Sequence, residues 1–89
     1  MVNCISILGS TGSIGRQSLD VVRMHPEIRV AALTAGSSLE LLSQQCREFR
    51  PELAVVATEE GAKALKEMLR DIPVRVSFGM EGLLEAATL

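Results

Sequence analysis

Apolar residues along this 89-residue chain follow two alternating patterns. Short runs of strand-forming residues occur at 4–8, 29–33, 53–57 and 74–78. The first three runs are almost continuously apolar, which is typical of parallel strands covered on both faces. The fourth run alternates apolar and polar residues and therefore predicts an edge strand with one face in water.

Longer segments with helical spacing separate these runs. The first predicted helix covers residues 13–24, with Ile14, Val21 and Val22 on its buried face, and it ends before a proline. A proline at position 51 likewise closes the second helix. Its predicted buried stripe consists of Leu39, Leu42, Cys46 and Phe49.

The starts of the later helices carry polar signals. Ser37 and Glu40 have the spacing of a capping box, so we expect Ser37 to cap the second helix. Thr58 is the expected cap of the third helix. A fourth helix is predicted to begin near Met80 and to continue to the last residue.

Strands and helices in strict alternation predict an α/β fold, a partial Rossmann-like parallel sheet of about four strands. Right-handed crossovers that step in one direction give the strand order 4-3-2-1, which leaves strand 1 at an edge. In a doubly wound sheet the nucleotide site lies where the order reverses, beside strand 1, with a further strand beyond it. We therefore interpret residues 1–89 as the N-terminal part of a dinucleotide-binding domain.

Three glycines follow the first strand at intervals of three residues: Gly9, Gly12 and Gly15. We expect Gly9 to permit a sharp turn, Gly12 to leave room for a pyrophosphate, and Gly15 to let the next helix pack closely on the strand. The spacing differs from the commonest G-x-G-x-x-G fingerprint. A turn that needs glycine only for its backbone angles is the alternative.

The end of the second strand bears on the choice of dinucleotide. NAD sites carry an acid about 20 residues past the glycines, whereas a 2′-phosphate requires that acid to be absent. Residues 33–38 contain no carboxylate, which favours NADP, although they contain no Arg or Lys either. Ser37 and Ser38 are candidates to bind the 2′-phosphate, and a simple capping role for Ser37 is equally compatible with the sequence.

Composition narrows the class of protein further. The chain is 47% hydrophobic and 22% charged with a net charge of −2, which favours neither nucleic acid nor membrane lipid as a partner. Cys4 and Cys46 lack metal-ligand or disulfide spacing, so both are expected to be buried thiols in a reducing compartment, the cytoplasm. No catalytic or metal-binding cluster is evident, and the start does not read as a signal peptide.

Several segments resemble the 1-deoxy-D-xylulose 5-phosphate reductoisomerase family. The similarity begins with the glycine turn in residues 7–15 and continues through 19–22 and 25–27. Residues 30–36, 45–51 and 62–65 extend it along the whole chain.

The resemblance implies an NADPH-binding segment of an enzyme that isomerises 1-deoxy-D-xylulose 5-phosphate and reduces it to 2-C-methyl-D-erythritol 4-phosphate in isoprenoid biosynthesis. It also implies Mg²⁺ or Mn²⁺ as a cofactor, a homodimeric parent, and metal and catalytic residues that lie outside these 89 positions. The cofactor-binding positions that it implies are Thr11, Gly12, Ser13, Ile14, Gly36, Ser37 and Ser38.

Two other interpretations stay open at this point. The three-spaced glycine turn also resembles that of aspartate-semialdehyde dehydrogenase-like and dihydrodipicolinate reductase-like proteins, so the chain can belong to another NADP-linked reductase. A nucleotide-binding module without catalysis is the second alternative. In each case the 89 residues alone are expected to be catalytically inactive.

Overall fold

A computed structural model describes residues 4–89, in which four strands alternate with four helices. The elements are β1 (Cys4–Ile7), α1 (Ser13–Arg23), β2 (Arg29–Thr34), α2 (Leu39–Phe49), β3 (Leu53–Val56), α3 (Glu59–Met68), β4 (Arg75–Phe78) and α4 (Gly79–Thr88). None of these helices has the length and apolar character needed to cross a bilayer.

All strand pairs are parallel and the sheet order is β1-β2-β3-β4, as predicted. Each strand therefore reaches its neighbour through a helical crossover, and the carboxyl ends of all four strands meet at one edge of the sheet. β2 and β3 occupy the centre and are almost entirely buried. Residues that follow the strand ends are thus brought together at that edge.

The two faces of the sheet are covered by different helices. One core cluster contains Leu19, Leu42 and Leu65, from α1, α2 and α3. The other joins Ala86 of α4 to Val55 and two further sheet residues. Because successive strand residues point to opposite faces, α4 lies on the face opposite the first three helices. α4 packs against β3 and β2 as well as β4, so the chain turns back across the sheet as in a doubly wound fold.

Charged side chains join neighbouring helices at the surface. Arg23 of α1 binds Glu48 of α2 with a nitrogen–oxygen distance of 2.5 Å, and its guanidinium lies 5.1 Å from the ring centre of Phe49. The hydrogen bond from Arg23 lowers the pKa of the Glu48 carboxyl. Arg47 and Asp71 form a similar exposed pair, which holds the pKa of Asp71 at about 2.

Three expectations about burial were wrong, and all concern the free side of β1. Cys4 is exposed, because β1 has a partner on one side only among the described residues. Ile14 and Val21 are 80% and 53% exposed, whereas Gly15, Leu19 and Val22 form the buried face of α1. The helix is rotated so that Gly15, rather than Ile14, packs inward.

The two predicted caps had different outcomes. Thr58 accepts a hydrogen bond from the backbone N–H of Gly61 at 3.0 Å, which confirms it as the cap of α3. The capping box at α2 was wrong, because Ser38 occupies the N-cap position and its side chain forms no capping bond. Instead the N–H of Leu39 donates to the carbonyl of Ser37 in a tight turn.

The free edge of β1 predicts self-association. Ile5, Leu8 and Ile14 expose apolar surface beside a strand edge that has no partner in the described part of the chain, which is a template for pairing with a second chain. We expect Ile5→Lys to weaken association by about tenfold or more, since an edge lysine opposes strand pairing. Analytical ultracentrifugation over a concentration series measures this effect.

The matched control is Leu84→Lys, which changes an exposed leucine of α4 on the opposite face. It should associate like the unmodified chain. A wild-type chain that stays monomeric at high concentration contradicts the prediction. An equal loss of self-association in both lysine variants also contradicts it.

Candidate functional site

A tight turn connects the end of β1 to the start of α1. Gly9 has a φ angle of +73°, in the left-handed region that favours glycine. The N–H of Gly12 donates to the carbonyl of Gly9 at 3.1 Å, and the N–H of Arg16 donates to Gly12 at 2.9 Å as the first helical bond. The chain thus reverses within four residues and enters the helix directly above the strand.

The first amides of α1 lie at the open end of the helix and have no acceptors in the described residues 4–89. Gly12 is the N-cap and offers no side chain to receive them. Among the described residues, no acceptor is present for the N–H groups of Thr11, Ser13, Ile14 and Gly15. These amides and the positive end of the helix dipole favour an anion, and no acidic side chain of the first turn competes for them.

Gly15 is required by the close approach of the helix to the turn. A Cβ atom at this position would lie 2.2 Å from the Gly9 carbonyl oxygen and 2.6 Å from the Cα of Ser10. Both neighbours are backbone atoms, so a side chain fits only if the turn and the helix separate. The expected packing role of Gly15 is therefore confirmed.

Gly12 is open by comparison. A Cβ atom there would meet only the Gly9 carbonyl oxygen, at 3.5 Å, an ordinary van der Waals distance. Its backbone angles, φ −80° and ψ 174°, suit any residue. Glycine is a favoured N-cap residue, and here it also leaves open the space that a bound group would need.

Side chains from β2 and α2 hold the turn in place. Thr34 accepts the N–H of Gly9 on its hydroxyl and the N–H of Ser10 on its carbonyl, both at 2.8 Å. The hydroxyl of Ser10 donates to Oε1 of Gln45 at 2.6 Å, while Nε2 of Gln45 donates to the carbonyl of Ser10 at 2.9 Å.

Thr34 and Gln45 were not among the site residues predicted from the sequence. A signal for Gln45 was present, because it follows Leu42 by three residues and precedes Phe49 by four, so it lies on the buried face of α2. A glutamine at such a position needs a polar partner. For Thr34, the sequence pattern showed only that the residue lies at the end of a strand.

The second predicted contact region follows β2. Gly36, Ser37 and Ser38 are all exposed, and neither serine hydroxyl is hydrogen-bonded to another described residue. The neighbouring backbone is anchored to the sheet, since Ala35 donates to Val55 and Ala57 donates to Gly36. This geometry leaves both hydroxyls available to a ligand at the start of α2.

Two depressions meet at Gly9. One, of about 350 Å³, lies over the carboxyl ends of β2 and β3 and is lined by Thr34, Gly36 and Met80 among others. The other, of about 710 Å³, runs along β1 and α1 and includes Gly12, Ser13, Ile14 and Gly15. An extended ligand that crosses Gly9 can therefore reach both predicted regions. Thr11, Ser37 and Ser38 line neither depression.

Residues 4–89 hold no group of three His, Cys, Asp or Glu side chains placed to bind an ion. The buried thiol of Cys46 has its pKa raised to about 12 by desolvation and is therefore protonated at neutral pH.

The parallel sheet and its glycine turn place the chain in the Rossmann-like α/β class. A sequence model of 1-deoxy-D-xylulose 5-phosphate reductoisomerase matches residues 5–89. The chain belongs to the 1-deoxy-D-xylulose 5-phosphate reductoisomerase family, which confirms the resemblance noted above.

Individual relatives agree with this assignment. The chain is 54% identical over 90 aligned positions to the reductoisomerase of Moorella thermoacetica, covering 100% of this chain and 23% of the relative. It is 49% identical over 85 residues to that of Agathobacter rectalis, covering 96% of this chain and 22% of the relative. The chain thus spans less than a quarter of the length of these relatives.

Solved structures show the same fold. The reductoisomerase of Zymomonas mobilis in complex with NADPH matches with a TM-score of 0.93 and 31% identity, over 100% of this chain and 24% of the other. A reductoisomerase in complex with NADPH, fosmidomycin and magnesium matches with a TM-score of 0.92 and 32% identity, over 98% of this chain and 22% of the other.

The contact at Gly15 predicts a folding defect. Glycine to alanine inside a helix ordinarily stabilises it by up to about 1 kcal/mol. Here we expect Gly15→Ala to lower the free energy of unfolding by about 2 kcal/mol or more, because two backbone segments must separate. Urea denaturation followed by circular dichroism measures the change.

Gly36→Ala is the matched control, because a Cβ atom at Gly36 meets nothing within 4 Å. It should unfold at nearly the same urea concentration as the wild type. An unchanged unfolding midpoint for Gly15→Ala would show that the turn and helix can separate at no cost.

Proposed function

We propose that this chain binds NADPH through the turn between β1 and α1 and the turn between β2 and α2. The backbone N–H groups of Thr11, Ser13 and Ile14 donate to the diphosphate, and the absence of a side chain at Gly12 admits it. Unpaired amides at a helix N-terminus and an open glycine beside them support this assignment. When bound, NADPH supplies the hydride of the reduction.

The adenosine end lies over the second turn in this proposal. Gly36 allows close approach of the ribose, and the hydroxyls of Ser37 and Ser38 donate to the 2′-phosphate. The start of α2 adds peptide amides and the positive end of its dipole. No acidic residue between Thr34 and Ser38 repels the phosphate, which supports NADP over NAD.

The wider role follows from family membership. We propose that residues 1–89 are the N-terminal part of the NADPH-binding domain of a 1-deoxy-D-xylulose 5-phosphate reductoisomerase that produces 2-C-methyl-D-erythritol 4-phosphate. That enzyme is a cytoplasmic homodimer in this proposal, and the parts of the family outside the matched segment supply its Mg²⁺ or Mn²⁺ ligands and substrate contacts. The 89-residue chain then binds cofactor without turnover.

One observation carries the proposal: the amides of Thr11, Ser13, Ile14 and Gly15 lack acceptors among the described residues, on a turn that Gly15 brings tightly against the helix. In the free protein such an arrangement leaves the exposed amides to water, as at other helix N-termini. It gains a great deal when an anion with several acceptor oxygens is present.

Titration with NADP⁺ tests the amide site directly. We expect the backbone amide resonances of Thr11, Ser13 and Ile14 to shift in nuclear magnetic resonance spectra, because each N–H acquires a charged acceptor. NAD⁺ should shift the same resonances at a concentration about tenfold higher, since it lacks the 2′-phosphate.

Amides that do not move in a folded sample at saturating NADP⁺ contradict the proposed cofactor site. Shifts of equal size at equal concentrations of NAD⁺ and NADP⁺ contradict the 2′-phosphate assignment alone. Measurable NADPH oxidation by the pure chain with 1-deoxy-D-xylulose 5-phosphate contradicts the assignment of catalysis to other parts of the family.

Gly12→Ala separates ligand binding from folding. The new methyl group meets only one ordinary contact within the fold, so we expect the free energy of unfolding to fall by about 1 kcal/mol or less. The same methyl group occupies space assigned to the diphosphate, so the Kd for NADP⁺ should rise by about tenfold or more. Isothermal titration and urea denaturation on one preparation measure both quantities.

Gln17→Ala is the control, because Gln17 is exposed on α1 and lies outside the proposed site. It should bind NADP⁺ like the wild type. If Gly12→Ala binds NADP⁺ with the same Kd as the wild type, the diphosphate does not bind at this turn.

A further inference from the structure

Ser10 and Gln45 form a closed pair inside the protein. Ser10 is fully buried and Gln45 is 4% exposed. The carbonyl of Ser10 can only accept a hydrogen bond, so the amide NH₂ of Gln45 must face it, and the hydroxyl of Ser10 must then donate to the amide oxygen. Two hydrogen bonds thus connect residues 35 positions apart in sequence.

This pair also fixes the direction of the next amide along the chain. The carbonyl of Ser10 and the N–H of Thr11 belong to one planar trans peptide unit, in which the two groups point in opposite directions. Because Gln45 holds the carbonyl from the α2 side, the N–H of Thr11 points away from α2. No acceptor among the described residues receives that N–H.

We propose that Gln45 is a positioning residue that aims the Thr11 amide at the cofactor diphosphate. The inference rests on the proposed NADPH site and adds a residue of α2 that does not contact the ligand. Thr34 restrains the turn from the β2 side by accepting the N–H groups of Gly9 and Ser10, so Gln45 is the restraint that acts on the carbonyl side of Ser10.

The position of Gln45 on α2 gives the pair a second consequence. The first turn of α2 carries Ser38, and Gln45 follows seven residues later, about 10 Å along the helix axis. One rigid helix therefore carries both the proposed 2′-phosphate contact and the support of the diphosphate turn. Loss of Gln45 should weaken the diphosphate end of the site while the 2′-phosphate end keeps its contacts.

The experiment compares Gln45→Met with Gln44→Met. Methionine keeps the length and helix preference of glutamine but lacks both hydrogen-bonding groups. Gln44 is exposed and adjacent, so its variant controls for the same chemical change without the pair. The probes are NADP⁺, which contains the diphosphate, and 2′-AMP, which carries only the 2′-phosphate end.

For Gln45→Met we expect the Kd for NADP⁺ to rise about tenfold and that for 2′-AMP to change less than about twofold. The Thr11 amide should no longer shift with NADP⁺, whereas the Ser13 and Ile14 amides still do. Gln44→Met should match the wild type. Equal weakening of both probes, or an unchanged Thr11 response, overturns the positioning role.

Gln45→Glu restores the two hydrogen bonds to Ser10 only at low pH. This variant tests the positioning role even if the methionine variant does not fold. A neutral carboxyl group can reproduce both hydrogen bonds, whereas a carboxylate cannot donate to Ser10. Burial raises the pKa of such a carboxyl group. The ratio of variant to wild-type Kd for NADP⁺ should be near one at about pH 5.5 and rise about tenfold at about pH 8.

Charged neighbours do not disturb this comparison. Arg16, Asp20, Arg23 and Glu48 line the same groove as Gln45 and are present in both proteins, so the two proteins differ only at position 45. A ratio that does not depend on pH overturns the inference. Failure of the wild-type chain to bind NADP⁺ instead overturns the proposed function itself, and it is visible before any variant is made.

Discussion

The contact between the backbone of Gly9 and the start of α1 is the constraint on which this structure depends. It lets α1 begin directly over the end of β1, and that placement sets where the first amides of the helix point. A side chain at Gly15 would force the helix outward and move every amide of its first turn. The fold and the proposed site therefore share one close approach between two backbone segments.

Around that contact, two further elements restrain the turn. Thr34 at the end of β2 binds Gly9, and Gln45 within α2 binds Ser10. In a parallel sheet of this order β2 is the neighbour of β1, and α2 is the helix that follows β2. The supports of this turn thus come from the next βα unit, which also carries Gly36, Ser37 and Ser38.

Most of the architecture was predictable from sequence, because the alternation of apolar runs and helical stripes is strong and the crossover rule leaves one order of strands. The glycine turn and the cap at Thr58 were predictable for the same reason, since local chemistry determines them. The rotation of α1 about its own axis was not predictable. Apolar spacing alone does not show that Gly15 takes the inward position and leaves Ile14 exposed.

The roles of Gln45 and Thr34 were also beyond the sequence pattern, because both act through partners about 25 or 35 residues away. A local pattern records which residues share a helix face but not which loop approaches that face. Ser38 replaced Ser37 as the N-cap of α2 for a related reason: the turn to Leu39 closes through the carbonyl of Ser37, which delays the helix by one residue.

Reliance on peptide dipoles has a consequence for ionic strength. Sites built from lysine and arginine attract a polyanion over long distances and lose affinity as salt screens that attraction. In the proposed site the donors are neutral amides and hydroxyl groups, and the 89 residues carry a net charge of −2, so their long-range field slightly repels an anionic dinucleotide. Added salt then screens a repulsion, and moderate salt aids the encounter between the two.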